Sequence, residues 1–272
     1  LSALFVPSGP VVLIRDNRLI QPLAIPPGNP VAFDGPIVVL TDRASASASE
    51  IVAAHLRDTG RAIVLGDSRT HGKGTVQTVM GLGPEKYGSL KLTTARFYRI
   101  NGDSTQVKGV EADIHLPSIL DSLDIGEDKL PNALPFTRIL PANYRMVWDL
   151  PDYIPVLATN SAARLAQNER YARHLAHVMG TKEAMDRAFV SLNYAVRKAQ
   201  MAQDRELQDE EESGGEDEEP QTRTRRGRNK AARENDVVLE EAYKILADLI
   251  RQKAGEKMPR PVTSYLDSIF SF

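Results

Sequence analysis

The sequence predicts an α/β core of strand–helix units over residues 1–117, followed by a mainly α-helical region, and three observations predict it. Two apolar runs of strand length, Ile37–Thr41 and Ala62–Leu65, flank a segment of helical spacing, Glu50–Thr59. Continuous runs of this kind suit strands buried on both faces. From about Asn132 the chain instead reads as helices separated by loops.

Taken in order, Val11–Arg15 is a short β-branched run that ends at the turn signal Asp16-Asn17. Pro22 to Pro36 is rich in Pro and Gly and reads as loop. Ile37–Thr41 stops at Asp42-Arg43, and the small-residue stretch ASASAS follows. Within Glu50–Thr59, Ile51, Ala54, His55 and Asp58 fall at i, i+3, i+4 and i+7, and Gly60 occupies the usual position just past a helix. The strand–turn–helix–strand order suggests a βαβ unit, with the chemically interesting segments just beyond strand carboxyl ends. Ser89–Ile100 alternates as a strand does, and Asn101-Gly102 makes a turn.

Residues 118–131 read as a linker and 132–272 as a helical domain. Its main helix candidates are Arg164–Met179, Lys182–Gln200 and Val237–Lys253. A biased segment at 204–235 carries eight acidic residues in Asp209–Glu219, then five basic ones between Arg223 and Lys230. Such runs self-repel and bury little, which predicts a disordered loop; the competing reading is a charged interaction tether.

Composition narrows the function classes. Charged residues make up 26% and the hydrophobic set 42% of the 272 residues, as in ordinary soluble proteins. A formal net charge of −2 gives no bulk signal for nucleic acid. The absence of cysteine removes disulfides, thiolate zinc sites and cysteine nucleophiles together. No apolar run approaches the roughly 20 residues that span a bilayer. His174-x-x-His177 lacks a neighbouring carboxylate motif and is a weak metal signal. The chain starts at Leu1 within an apolar stretch and reads as a fragment whose N-terminus, with any signal peptide, lies upstream.

The segments that carry chemistry are Ser45–Glu50 (SASASE) and Gly72–Gln77 (GKGTVQ). Serine becomes a good nucleophile when a base accepts its proton, and lysine can be that base only as a neutral amine. A serine at a helix N-terminus directly after a strand sits on a sharp turn beside free backbone amides, which can stabilise an oxyanion. Glycines flanking Lys73 let its backbone approach other segments closely. Each piece has a plain reading alone: Ser and Ala before a helix form an N-cap, and GKG forms a surface turn. A phosphate loop is excluded, because Lys73 is followed by Gly74 and position 67 is Asp.

DRASASASEI, GKGTVQ and the later FYRINGDSTQVKGVEADIHLP together resemble the tail-specific branch of the C-terminal processing peptidases. Further matches are Asp128-Lys129 leading into Asn132-Ala133-Leu134-Pro135, Val190–Arg197, and Val238-Leu239 with Leu246-Ala247-Asp248, so the resemblance covers nearly the whole chain. It implies that residues 1–117 are the later part of a serine-protease core of crotonase-like, ClpP-like type. It also implies that Ser47 is the nucleophile, Lys73 the base, Gln77 the residue orienting Lys73, Ala48 the source of an oxyanion amide and Asp58 a structural support. Two features depart from the family pattern. One extra residue precedes GKG, and His71 replaces the usual aromatic, which raises a Ser–His pair as a competing arrangement. The family's substrate-binding PDZ domain and second oxyanion amide lie upstream of position 1.

The implied function is a serine endopeptidase that acts on proteins from their C-terminal region through an acyl-enzyme, which needs no metal or organic cofactor. Expected substrates are proteins or peptides with accessible apolar C-termini, and a lipoprotein-like adaptor is an expected partner. The implied location is a bacterial periplasm, with inner-membrane association through the upstream region. The alternative is a catalytically inert interaction module that binds such an adaptor.

Overall fold

The computed structural model describes residues 1–83, 87–202 and 236–254. Two sheets organise the first half. A parallel sheet holds β3 (Val38–Thr41), β4 (Ile63–Gly66) and β7 (Ile114–His115) in the order β3-β4-β7. An antiparallel sheet holds β1 (Gly9–Arg15), β2 (Ile20–Ile25), β5 (Thr75–Gly81) and β6 (Ser89–Tyr98) in the order β2-β1-β6-β5. The mixed α/β core followed by helices is the architecture expected from the sequence.

The predicted βαβ unit is present. β3 leads into α1 (Ala48–Asp58) and then into β4, which pairs parallel to β3 from Val38↔Ile63 to Thr41↔Gly66. β4 is the central strand and every residue of it is buried, which explains its unbroken apolar run. Ile63 and Leu65 point to one face, where they join Ile114 and Leu116 in a cluster with Leu157 of α3 (Ile154–Leu165) and Ile245 and Leu249 of α5 (Val237–Lys253). On the other face Ala62 packs with Leu56 of α1, and Ala53 and Ala54 pack with Val39 and Val110. Each fully buried Leu or Ile contributes about 1.5–3 kcal/mol, so the helical region and the parallel sheet stabilise each other through one cluster.

Several local expectations are corrected. Pro22 lies inside β2 rather than in a loop, opposite Leu13 of β1. β2 is the edge of its sheet, where a residue without an N–H is tolerated. The Asp16 turn is formed as predicted, its carboxylate accepting from the amides of Arg18 (2.7 Å) and Leu19 (2.9 Å). β5 overlaps the lysine motif and is a full strand not among those predicted from the sequence, although four of its seven residues, Thr75, Val76, Thr78 and Val79, are β-branched; its partner β6 supplies the pairing.

The helix expected at Arg164–Met179 is split. α3 ends at Leu165 and α4 (Glu169–Asp186) begins after Asn168, whose side chain accepts from the amides of Arg170 and Tyr171. The helix expected at Lys182–Gln200 is split likewise: Lys182 belongs to α4, residues 187–193 are not helical, and residues 194–202 are. Asn193 caps that second start, accepting from Ala195 N (3.0 Å) and Val196 N (3.3 Å). Polar caps thus override apolar periodicity in both places. α5 covers the predicted range, with Asp236 as its cap. The linker range contains a short helix, α2 (Ile119–Ser122), and a 3-10 turn at Glu127–Lys129. The charged segment at 204–235 lies outside the described residues.

Candidate active site

Ser47 sits where the turn after β3 meets the first turn of α1, as its N-cap. Its backbone has φ 59° and ψ −114°, a conformation a non-glycine residue rarely adopts and one that concentrates at functional turns. The preceding loop is held by Asp42, whose carboxylate accepts from Ala44 N (3.1 Å), Ser45 N (2.8 Å) and Ser45 Oγ (2.8 Å). Ala48 is exposed at the first helical position, where an amide has no intrahelical acceptor.

Lys73 sits on a backbone that is fixed at every polar group of Gly72–Gly74. The Gly72 and Lys73 amides donate to Glu50 (2.7 and 2.9 Å), and the Gly74 amide donates to Gln106 Oε1 (2.8 Å). The three carbonyls accept from Val107 N (2.7 Å), Thr105 Oγ1 (3.1 Å) and Phe97 N (3.0 Å). Gly72 has φ +96°, and a Cβ at Gly74 would lie 2.6 Å from Gln106 N, so both glycines are required by the fit. The result is a half-buried lysine side chain projecting from an immobilised tripeptide.

The residue that joins the two segments is Glu50, fully buried on the first turn of α1. Oε2 accepts from Ser47 N (2.7 Å) and Lys73 N (2.9 Å), and Oε1 accepts from Gly72 N (2.7 Å) and Thr70 Oγ1 (2.5 Å). Burial pushes its carboxyl above the ordinary range, and these four donors oppose that rise. The Ser-x-x-Glu spacing of a capping box marks Glu50 in the sequence, but its grip on the lysine loop depends on residues more than 20 positions away. A second link is His71 N, which donates to Ser45 O (2.9 Å).

The expected site residues differ in how far they converge. The backbones of Ser47 and Lys73 share the Glu50 carboxyl, while no hydrogen bond among the described residues joins Ser47 Oγ to Lys73 Nζ. Gln77 is exposed on β5, one residue past a bulge, and forms no hydrogen bond to Lys73 among the described residues. Asp58 lies at the far end of α1, about 16 Å from Ser47 along the helix axis at 1.5 Å per residue. There it accepts from Arg99 Nε (2.9 Å) and Arg99 Nη2 and ties α1 to the end of β6. His71 faces Glu127, its Nδ1 3.9 Å from Glu127 Oε2 and without a hydrogen bond. His174 Nε2 meets the Pro117 carbonyl at 2.8 Å. Among the described residues no group of three or more His, Asp or Glu gathers as a metal site, and no helix is long and apolar enough to cross a membrane. Gln106 and Glu127 have no counterpart among the residues the motifs single out as catalytic.

Comparison with known proteins gives the family. Residues 1–116 match the model of peptidase family S41, and residues 120–251 match that of the C-terminal domain of tail specific protease. A tail-specific protease of Haemophilus influenzae is 35% identical over 95% of this chain, which spans 39% of that protein. A carboxy-terminal-processing protease of Bartonella bacilliformis is 49% identical over 29% of this chain and 18% of its own length. The solved photosystem II D1 C-terminal processing protease is 35% identical over 43% of this chain and 29% of its own, with a TM-score of 0.38.

Proposed function

Because this chain belongs to peptidase family S41, in its tail-specific branch, we propose that the protein is a serine endopeptidase working through Ser47 and Lys73. Lys73, as the neutral amine, accepts the Ser47 hydroxyl proton while Ser47 Oγ attacks a peptide carbonyl near the substrate's C-terminus. The oxyanion of the tetrahedral intermediate takes a hydrogen bond from the Ala48 amide. The lysine proton passes to the leaving amine as the C–N bond breaks, leaving an ester on Ser47. Water, deprotonated by Lys73, attacks that ester, and the lysine passes the proton to Ser47 Oγ as the C–O bond breaks, releasing the acid and restoring the serine. Asp58 supports α1 through Arg99, and Gln77 orients the lysine once substrate orders the site.

The observation that carries this reading is the single buried carboxyl of Glu50, on which the amide of the nucleophile turn and the amide of the lysine meet. We propose with it substrates with apolar C-termini, a bacterial periplasmic location with inner-membrane association, and a lipoprotein-like adaptor. The test is hydrolysis of a peptide with an apolar C-terminus by the full-length gene product. Ser47→Ala and Lys73→Ala should each lower kcat by at least about 1,000-fold, the scale lost when a nucleophile–base unit is broken. Either variant cleaving as fast as wild type overturns the assignment of that residue.

A further inference from the structure

Glu127 lies in the part of the chain that matches the tail-specific C-terminal domain, in the 3-10 turn beyond α2, yet it faces the loop that carries Lys73. Its amide donates to His71 O (2.9 Å), two residues before the lysine. Its Oε1 accepts from Gln106 Nε2 (3.0 Å), and Gln106 Oε1 accepts from Gly74 N (2.8 Å), one residue after it. Gln106 is fully buried, so its amide has no water to turn to, and its two ends are satisfied only in this orientation. Neighbouring bonds hold the same segment in place: Arg43 Nη2 donates to Ile125 O, and Arg69 Nη2 to Asp128 Oδ1 (3.0 Å).

We infer that Glu127 is a positioning residue for Lys73, by which the downstream region sets the place of the base through Gln106 and Gly74. An amide side chain can be reversed, presenting nitrogen where oxygen was. The carboxylate of Glu127 cannot donate, so it accepts from the nitrogen of Gln106 and thereby turns the oxygen toward Gly74. Without it, the buried Gln106 nitrogen has no acceptor, and the side chain shifts to find one, drawing its oxygen away from the Gly74 amide. The Gly72–Gly74 backbone then loses one of its fixed groups, and the base moves relative to Ser47. A displacement near 1 Å at a reacting group lowers rates by about 100-fold. This inference rests on the Ser47–Lys73 reading and concerns only how the lysine is held.

The experiment uses the full-length gene product and four variants: Ser47→Ala, Glu127→Ala, Gln106→Glu, and Gln106→Glu combined with Glu127→Gln. In Glu127→Ala, kcat should fall about 10- to 100-fold with KM within about twofold of wild type. Gln106→Glu sets two carboxylates face to face and should fall at least as far. The combined exchange restores one donor and one acceptor between the two positions and keeps an oxygen for Gly74, so it should recover most of kcat. A purely structural role predicts no such recovery. Wild-type kcat in Glu127→Ala, or an exchange variant that folds but stays as slow as Gln106→Glu, overturns the inference. If Glu127→Ala fails to fold, the exchange pair alone decides. Activity surviving in Ser47→Ala refutes the underlying functional reading instead, so the two failures are told apart.

Discussion

Replacing Glu50 with Gln tests whether one buried carboxyl organises the site. The side chain keeps its length and loses one oxygen and one charge. Each oxygen now serves two donors: Ser47 N and Lys73 N on Oε2, Gly72 N and Thr70 Oγ1 on Oε1. In Glu50→Gln one pair of donors faces an NH2 group, itself a donor, so two hydrogen bonds to a charged acceptor are lost. At about 1.5–3 kcal/mol each, the gross loss is about 3–6 kcal/mol. The cost of burying the charge, which holds the Glu50 carboxyl above its usual range, disappears with the charge and offsets part of this. A net loss of about 2–4 kcal/mol is expected, a large share of the roughly 5–15 kcal/mol that holds a typical domain together. Urea unfolding of wild type and variant measures it, and kcat on the same peptide should fall by at least about 100-fold as the two backbones separate. A variant within about 1 kcal/mol of wild-type stability and with unchanged kcat refutes the role of Glu50 as the common anchor.

Two further outcomes follow from buried titratable groups of α1. Asp58→Asn leaves Arg99 buried with a neutral partner and should cost about 3–5 kcal/mol in denaturant unfolding, as expected for half of a buried ion pair; an unchanged midpoint contradicts the bridge. Burial pushes the His55 ring down from 6.5 to about 4, so the unfolded chain takes up a proton that the folded chain refuses. The stability it contributes is therefore complete above pH 6.5 and is lost as pH falls toward 4. The maximum is on the order of 3 kcal/mol from about 1.4 kcal/mol per pH unit. His55→Leu should flatten the pH dependence of unfolding in that window relative to wild type, and parallel curves for the two proteins refute the assignment.

How much of this was legible in the sequence depended on whether the deciding interaction was local. The βαβ unit, the Asp16 turn, α1 and α5 were readable because apolar period, capping side chains and a terminating glycine lie within a few residues of the element they control. β2 was not, because its strand identity came from its partner: β1 gives Pro22 an edge position that the local Pro and Gly content speaks against. The helix breaks at Asn168 and Asn193 were local signals overridden in reading by longer apolar periodicity.

The same division runs through the candidate site. By itself the sequence determined the chemistry on offer: a serine at a helix start and a lysine between two glycines, in the order of a known peptidase branch. Tertiary structure alone decided what holds them. Glu50 reaches Thr70, Gly72 and Lys73, Gln106 reaches Gly74, and Glu127 reaches Gln106 and His71 across 20 to 56 positions of chain. A buried polar side chain must find a partner wherever the fold brings one. Residue type announces that need, and only the packed backbone determines which group answers it.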